Sequence, residues 1–159
     1  MRLSHWGAAT LVLLAAAGCA LNASPADGLR FAAPPGWQSS PGIMGFMQFW
    51  RPLANDHEAL ILFKSPKPIK VSDVVSQPGV GDTLKSATVE RRESIVICDR
   101  QPATYMEARG TSSRGDESRV EMVMTNLRGK TYFALYVRPA AASPNQVAEA
   151  ALRELCPKP

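Results

Sequence analysis

Apolar and polar positions along this chain follow two rhythms, and the slower one is sustained over a long run at each end. Between residues 29 and 138 the apolar residues come in short runs broken by Pro, Gly, Asn and Asp, the signature of strands and turns. Arg30-Phe31-Ala32-Ala33 reads as a short strand ended by Pro34-Pro35-Gly36. Met44 to Arg51 (MGFMQFWR), stopped by Pro52, and Ala59 to Phe63 (ALILF) flank the turn Asn55-Asp56-His57-Glu58, which predicts a hairpin. Lys64 to Lys70 (KSPKPIK) is a stiff loop, after which Ser72 is placed to cap a short helix with Asp73 in its first turn. Four further strands follow at 87–98, 103–110, 118–126 and 131–138, the last two joined by a tight turn at Arg128-Gly129. In the last strand Phe133, Leu135 and Val137 point one way and Tyr132, Ala134 and Tyr136 the other, so both of its faces must be covered.

The helical rhythm returns at 144–156. Ser143 stands as an N-cap, Pro144 at the first helical position and Gln146 where a capping box places it. Val147, Ala148, Ala151, Leu152 and Leu155 form an apolar stripe, and Pro157 ends the segment. The expected fold class is therefore α+β, an antiparallel sheet with helices packed on it. No internal repeat is evident.

The other helical-length run lies at the start. Trp6 to Ala17 (WGAATLVLLAAA) follows Arg2 and is uncharged and apolar, but too short to span a bilayer, which takes about 20 residues. It suits the core of a signal peptide. Ala16-Ala17-Gly18-Cys19 then resembles a lipobox, with Ala16 where that motif usually has Leu. Cysteine parity bears on this reading. With Cys19, Cys98 and Cys156 in an exported chain, lipidation of Cys19 leaves an even pair. A Cys98–Cys156 bridge would then pin the last helix to the sheet; two buried free thiols are the alternative. The expected organisation is a signal peptide over 1–18, a lipidated N-terminus and polar tether over 19–29 (ALNASPADGL follows the cysteine), and one domain over 30–159. Ordinary cleavage after Ala15-Ala16-Ala17 or Gly18-Cys19-Ala20 is the competing route. Ala20, standing where an Asp would signal inner-membrane retention, favours the outer of two membranes.

Composition narrows the function classes. With 45% hydrophobic and 20% charged residues the chain is a globular protein and not a disordered one. Removing Arg2 with the leader leaves 17 basic residues against 14 acidic, a net of +3, too mild for a nucleic-acid binder. One histidine, His57, remains beyond the leader, which argues against a zinc cluster; no metal and no cofactor are expected. There is no G-x-S-x-G elbow and no phosphate loop, and Gly79-Val80-Gly81 follows a proline instead of a strand. The close carboxylates Asp116-Glu117 and Glu90/Glu93 are flanked by arginines and read as surface ion pairs. Phe46, Phe49 and Trp50 on the aromatic strand, with Lys64, Lys67 and Lys70 in the loop, make a possible binding patch. The aromatics also suit a core, and the lysines a solvated loop.

The order of these elements resembles the PsbP-like family, an α/β/α sandwich named for an extrinsic photosystem II protein and shared by small bacterial lipoproteins. The resemblance spans about residues 29–157. It rests on Pro35-Gly36-Trp37 after a first strand, on the aromatic run Gly45-Phe46-Met47-Gln48-Phe49-Trp50, and on a helix after the third strand. Cys98-Asp99-Arg100-Gln101-Pro102-Ala103, the antiparallel strands after it and the capped last helix complete it. It implies binding or assembly roles, mostly without catalysis, and carries over no functional residue. The expected function is thus that of a non-enzymatic envelope lipoprotein, held to the membrane through Cys19 and binding another envelope protein or a small ligand. Two rivals stand beside it: a small hydrolase whose site is assembled from distant residues, and a structural accessory subunit of an envelope complex.

Overall fold

The computed structural model describes residues 28–41, 47–55, 57–74, 80, 84–98 and 100–158. The leader, Cys19 and the tether through residue 27 lie outside the described residues, as does Phe46.

Seven strands form one antiparallel sheet: β2 (Trp37–Pro41), β3 (Met47–Pro52), β4 (Ala59–Ser65), β5 (Leu84–Ile97), β6 (Gln101–Ser112), β7 (Glu117–Leu127) and β8 (Lys130–Pro139). Their order across the sheet is β2-β3-β4-β8-β7-β6-β5. The hairpin predicted from the two apolar runs is present as β3 and β4, with Phe49 opposite Ile61. The four later strands are also present, each longer than the sequence pattern indicated. β8 is the central strand, and every residue from Thr131 to Val137 is buried. Its alternation divides the core as expected. Tyr132, Ala134 and Tyr136 join Leu60, Leu62, Tyr105 and Val123 on a first face. Phe133, Leu135 and Val137 join Ile61, Phe63, Met106 and Met122 on the second.

One turn and one strand position show why glycine is needed where it stands. Arg128 (φ 51°) and Gly129 (φ 75°) both adopt left-handed backbone, the pairing that a two-residue hairpin requires. Gly110 on β6 lies where a Cβ would come within 2.6 Å of the Ser86 carbonyl oxygen, so only glycine fits beneath β5 there.

The first face is covered by a helix, α1 (Gln146–Arg153), against β7 and β8. This helix is shorter than the predicted 144–156, and its cap is different. Asn145, not Ser143, is the N-cap, its side chain accepting from the amides of Val147 and Ala148. At the other end Cys156 pairs opposite Arg30, in a two-stranded ribbon of β1 (Leu29–Arg30) and β9 (Cys156–Pro157). A residue before proline is disfavoured in helix, so Pro157 pushes Cys156 into extended backbone and the helix stops earlier. Ala148, Ala151 and Leu152 are buried as the stripe required, and so is Leu155 just beyond the helix; Val147, at 51% exposure, points away from the core.

The second face departs from the expectation of helices on the sheet. Among the described residues it carries one 3-10 turn, Val71–Asp73, with Val74 and Val80 buried beside it. Ser72 lies within that turn, and Lys70 occupies the N-cap without a side-chain capping bond. Pro66 and Pro68 hold the chain leading into the turn extended, and the β-branched Val71 and Val74 disfavour helix. The architecture is an antiparallel sheet with a single C-terminal α-helix among the described residues.

Cys98 and Cys156 are disulfide-bonded, with Cα atoms 5.5 Å apart. Cys98 closes β5 in left-handed backbone (φ 49°), uncommon for a residue with a Cβ. The bridge ties the β5–β6 hairpin to β9, just past α1, as the sequence reading expected of the last helix and the sheet.

Candidate functional site

The aromatic strand and the lysine loop do not meet as one surface. Phe49 and Trp50 are neighbours on β3, so they face opposite sides of the sheet. Phe49 packs against the second core cluster. Trp50 packs against the first, its ring 6.2 Å from Phe31, with its indole N–H buried and unpartnered among the described residues. Lys64 leaves β4 opposite Tyr132, on the first face. The loop beyond it folds the other way, with Ile69 and Val71 on the second cluster and the Ile69 amide bonded to Thr131 Oγ1. Lys67 and Lys70 are exposed on that loop.

Chemistry gathers instead at the edge of α1. Beyond the helix, the first face of β5, β6 and β7 is charged. Glu90 pairs with Arg109 at 3.2 Å and with Arg119 at 2.7 Å, and Arg91 bridges Glu93 and Glu107. These are the surface ion pairs expected of Glu90 and Glu93. The series leads into a cleft of about 540 Å³ between α1 and the sheet. Tyr105, Glu107, Glu121 and Arg138 line its sheet side, and Glu149 and Arg153 come from α1.

Glu121 is the centre of this cleft, and only 7% exposed. It occupies a first-face position of β7 between Arg119 and Val123, where the strand passes from the charged region to the core. The Tyr105 hydroxyl donates to Glu121 Oε2 at 2.9 Å and stands 3.3 Å from Glu107 Oε1. Arg138 Nε lies 4.0 Å from Glu121 Oε1, close enough for attraction but too far for a good hydrogen bond. Arg153 sits over the Tyr105 ring, 4.2 Å from its centroid. Burial raises the pKa of Glu121 above the ordinary carboxylate value, against the lowering effect of the Tyr105 hydrogen bond; Glu149, in charge and in hydrogen bonding, raises it further. Burial also raises the pKa of Tyr105, aided by its bond to Glu121. Burial, with a second carboxylate alongside, thus favours the neutral form of Glu121.

The sequence reading missed these residues because Tyr105, Glu121, Arg138 and Glu149 come from four separate elements. One local signal pointed to Glu121: a carboxylate inside the apolar run Val120-Glu121-Met122-Val123.

His57 lies elsewhere. Asn55 Oδ1 accepts from the His57 amide at 3.1 Å and from the Glu58 amide at 3.3 Å, fixing the β3–β4 turn. His57 thereby lines a second cleft, of about 580 Å³, at one end of the second face. Among the described residues, no group of three or more His, Cys, Asp or Glu side chains is placed to hold a metal ion.

No family model matches the chain, and no curated protein matches it. Solved structures do. The solution structure of cyanobacterial PsbP (CyanoP) from Synechocystis sp. PCC 6803 superposes with a TM-score of 0.57 at 19% identity, over 82% of this chain and 87% of that one. A crystal structure from Bacteroides thetaiotaomicron VPI-5482 superposes with a TM-score of 0.52 at 12% identity, over 86% of this chain but 47% of that one. At such identities the likeness concerns the path of the backbone and no side chain of either cleft. What the sequence order suggested, the superposition establishes at the level of architecture: the chain has a PsbP-like fold.

Proposed function

We propose that this chain is an exported lipoprotein of the cell envelope, anchored through Cys19, whose domain acts by binding a small ligand or another envelope protein. The observation that carries the reading is the Cys98–Cys156 bridge. It uses two of the three cysteines, fits an oxidising compartment, and leaves Cys19 as the odd thiol in a lipobox-like run. Cleavage before Cys19 and diacylation there would make the chain from residue 20 up to Gly28 a tether, shorter than 20–29 because Leu29 is buried in β1, with the outer of two membranes as the address. Two clefts, of about 580 and 540 Å³, are of a size that takes small molecules.

Metabolic labelling with a fatty-acid analogue tests the anchor. The wild-type chain should carry the label and stay in the membrane fraction; a Cys19→Ser chain should lose both, because stable attachment takes more than one acyl chain. Label retained by Cys19→Ser refutes the reading. Co-purification from detergent-solubilised membranes then identifies a protein partner.

A hydrolytic reading stands second, and the buried Glu121, bonded to the Tyr105 hydroxyl in a cleft that Glu107 and Glu149 also line, favours it. Perturbed carboxyls in a cleft are what acid–base chemistry uses, although structural ion networks shift pKa values in the same way. Screening the purified chain against ester, glycoside, peptide and phosphate substrates separates the two. Turnover that vanishes in Glu121→Gln, with folding intact, establishes hydrolysis; no turnover leaves binding.

A further inference from the structure

One end of the second face is open. Over β5 to β8 that face is covered by the 3-10 turn and Val80, but at the far ends of β3, β4, β8, β7 and β6 the sheet borders the cleft that His57 lines. The floor is apolar, made by Ala59, Val137 and Pro139. Two arginines line its walls, Arg51 from β3 and Arg114 from the β6–β7 turn, with His57 from the β3–β4 turn and, among the described lining residues, one carboxylate, Asp116. Among the described residues no hydrogen bond or ion pair engages the Arg51 guanidinium.

We propose that this cleft binds a small organic oxyanion, a phosphate ester or a carboxylate. Its charged group lies against Arg51 and Arg114, and its apolar body rests on Ala59, Val137 and Pro139. The proposal deepens the binding reading above and rests on it.

Three features carry the assignment. A guanidinium offers a planar fork of donors that matches the oxygens of carboxylate and phosphate, and two such forks line one concavity. A concave, partly apolar wall strengthens the attraction, because field lines there pass less through water. The turns that carry Arg114 and His57 are held by their own hydrogen bonds, and Arg51 is held by β3. Ser112 Oγ accepts from the amides of Arg114 at 3.2 Å and Asp116 at 3.1 Å, and the Ser112 amide donates to the Asp116 carbonyl at 2.8 Å. Gly115, at φ 94°, completes that turn in backbone that residues with a Cβ avoid. Across the cleft, Asn55 holds the turn of His57 in the same manner. Turns held in this way lower the ordering cost of binding.

The test uses the full chain in detergent micelles, titrated with phenyl phosphate, benzoate and the neutral benzamide while amide resonances are followed. Both anions should shift the signals of 112–118 and 137–138 saturably, and benzamide should not. Arg51→Ala and Arg114→Ala should each weaken binding about tenfold or more, as loss of a charge-assisted pair does, while thermal unfolding stays unchanged. An equal response to benzamide, or unchanged affinity in the double variant, overturns the proposal. A lipid headgroup offers the same phosphate chemistry, so flotation of the Cys19→Ser chain with phosphatidylglycerol vesicles forms a separate arm. Vesicle binding that needs the two arginines, with neither free anion bound, overturns the small-molecule assignment. Neither arginine bears on labelling of Cys19. Loss of anion binding with the label intact therefore refutes the ligand class alone, whereas loss of the label in wild type refutes the anchor.

Discussion

Removing the Cys98–Cys156 bridge is the sharpest test of how this fold is held together. The perturbation is the double variant Cys98→Ala/Cys156→Ala. The bridged residues are separated by 58 positions. In the chain-entropy model, closing a loop of that length lowers the entropy of the unfolded chain enough to stabilise the native state by about 4 kcal/mol. Small domains are typically stable by about 5–15 kcal/mol, so such a loss is a large share of the whole. The damage should also be local. β1 and β9 are a two-residue ribbon, held by its own pairing, by the Lys158 amide on the Gly28 carbonyl at 2.7 Å, and by the bridge. Without the cross-link these amides should exchange with solvent at nearly the rate of an open chain, while those of β8 stay protected. Urea unfolding followed by tryptophan fluorescence gives the stability, and its slope should rise, since an uncross-linked chain exposes more surface when unfolded. Wild-type protein kept in reductant should match the variant. A difference below about 1 kcal/mol would refute the reasoning, because the loop-closure entropy for 58 positions is several times larger than that.

Two other outcomes follow from named groups. Leu152 is fully buried beneath α1, so Leu152→Ala should cost roughly 2–5 kcal/mol in the same assay; a loss below about 0.5 kcal/mol would mean that the helix does not seat through this side chain. Glu121 has a raised pKa in the folded state, so its neutral form is the one that the fold favours. The stability linked to it is fully present below the ordinary carboxylate value of 4.5 and is lost as pH rises through the folded pKa. Glu121→Gln keeps a neutral group among Tyr105, Glu107, Arg138, Glu149 and Arg153, so its stability relative to wild type should climb as pH rises from about 4 and then level off. A gap that stays flat across this range would place the proton elsewhere in the cluster.

The sheet was legible because strand alternation is a local property. Residues 131–137 carry no charge and place bulk on both sides, and that alone identified a strand covered on both faces. The helix was legible in its stripe but not in its ends. Ser143 and Asn145 are both good caps, and what decides between them is tertiary: the Asn145 amide donates to the Tyr136 hydroxyl at 3.2 Å, which holds this residue at the mouth of α1. The disulfide followed from parity, because counting cysteines needs no geometry. The layer over the second face was misjudged because a capping serine and an acidic first turn describe how a helix starts. They do not say whether the prolines before it and the valines along it let it run past one turn.

The clefts were illegible for a different reason, and it bears on where the function of this fold resides. In the sequence, Glu121 and Glu149 are 28 positions apart, and Arg51 and Arg114 are 63 apart. The antiparallel order returns the chain past itself, so such residues meet only through register. Glu121 lies opposite Glu107 on β6 and Tyr136 on β8, and α1 then crosses back to bring Glu149. Residues that share a face across three strands and a helix are free to vary without disturbing alternation, because their positions belong to the charged margin and not to the core. A PsbP-like backbone can therefore be kept at 19% identity while its margins are rewritten. On the binding reading proposed above, specificity is to be sought in this chain's own arginines and carboxylates, and no relative's ligand can be transferred to it on fold alone.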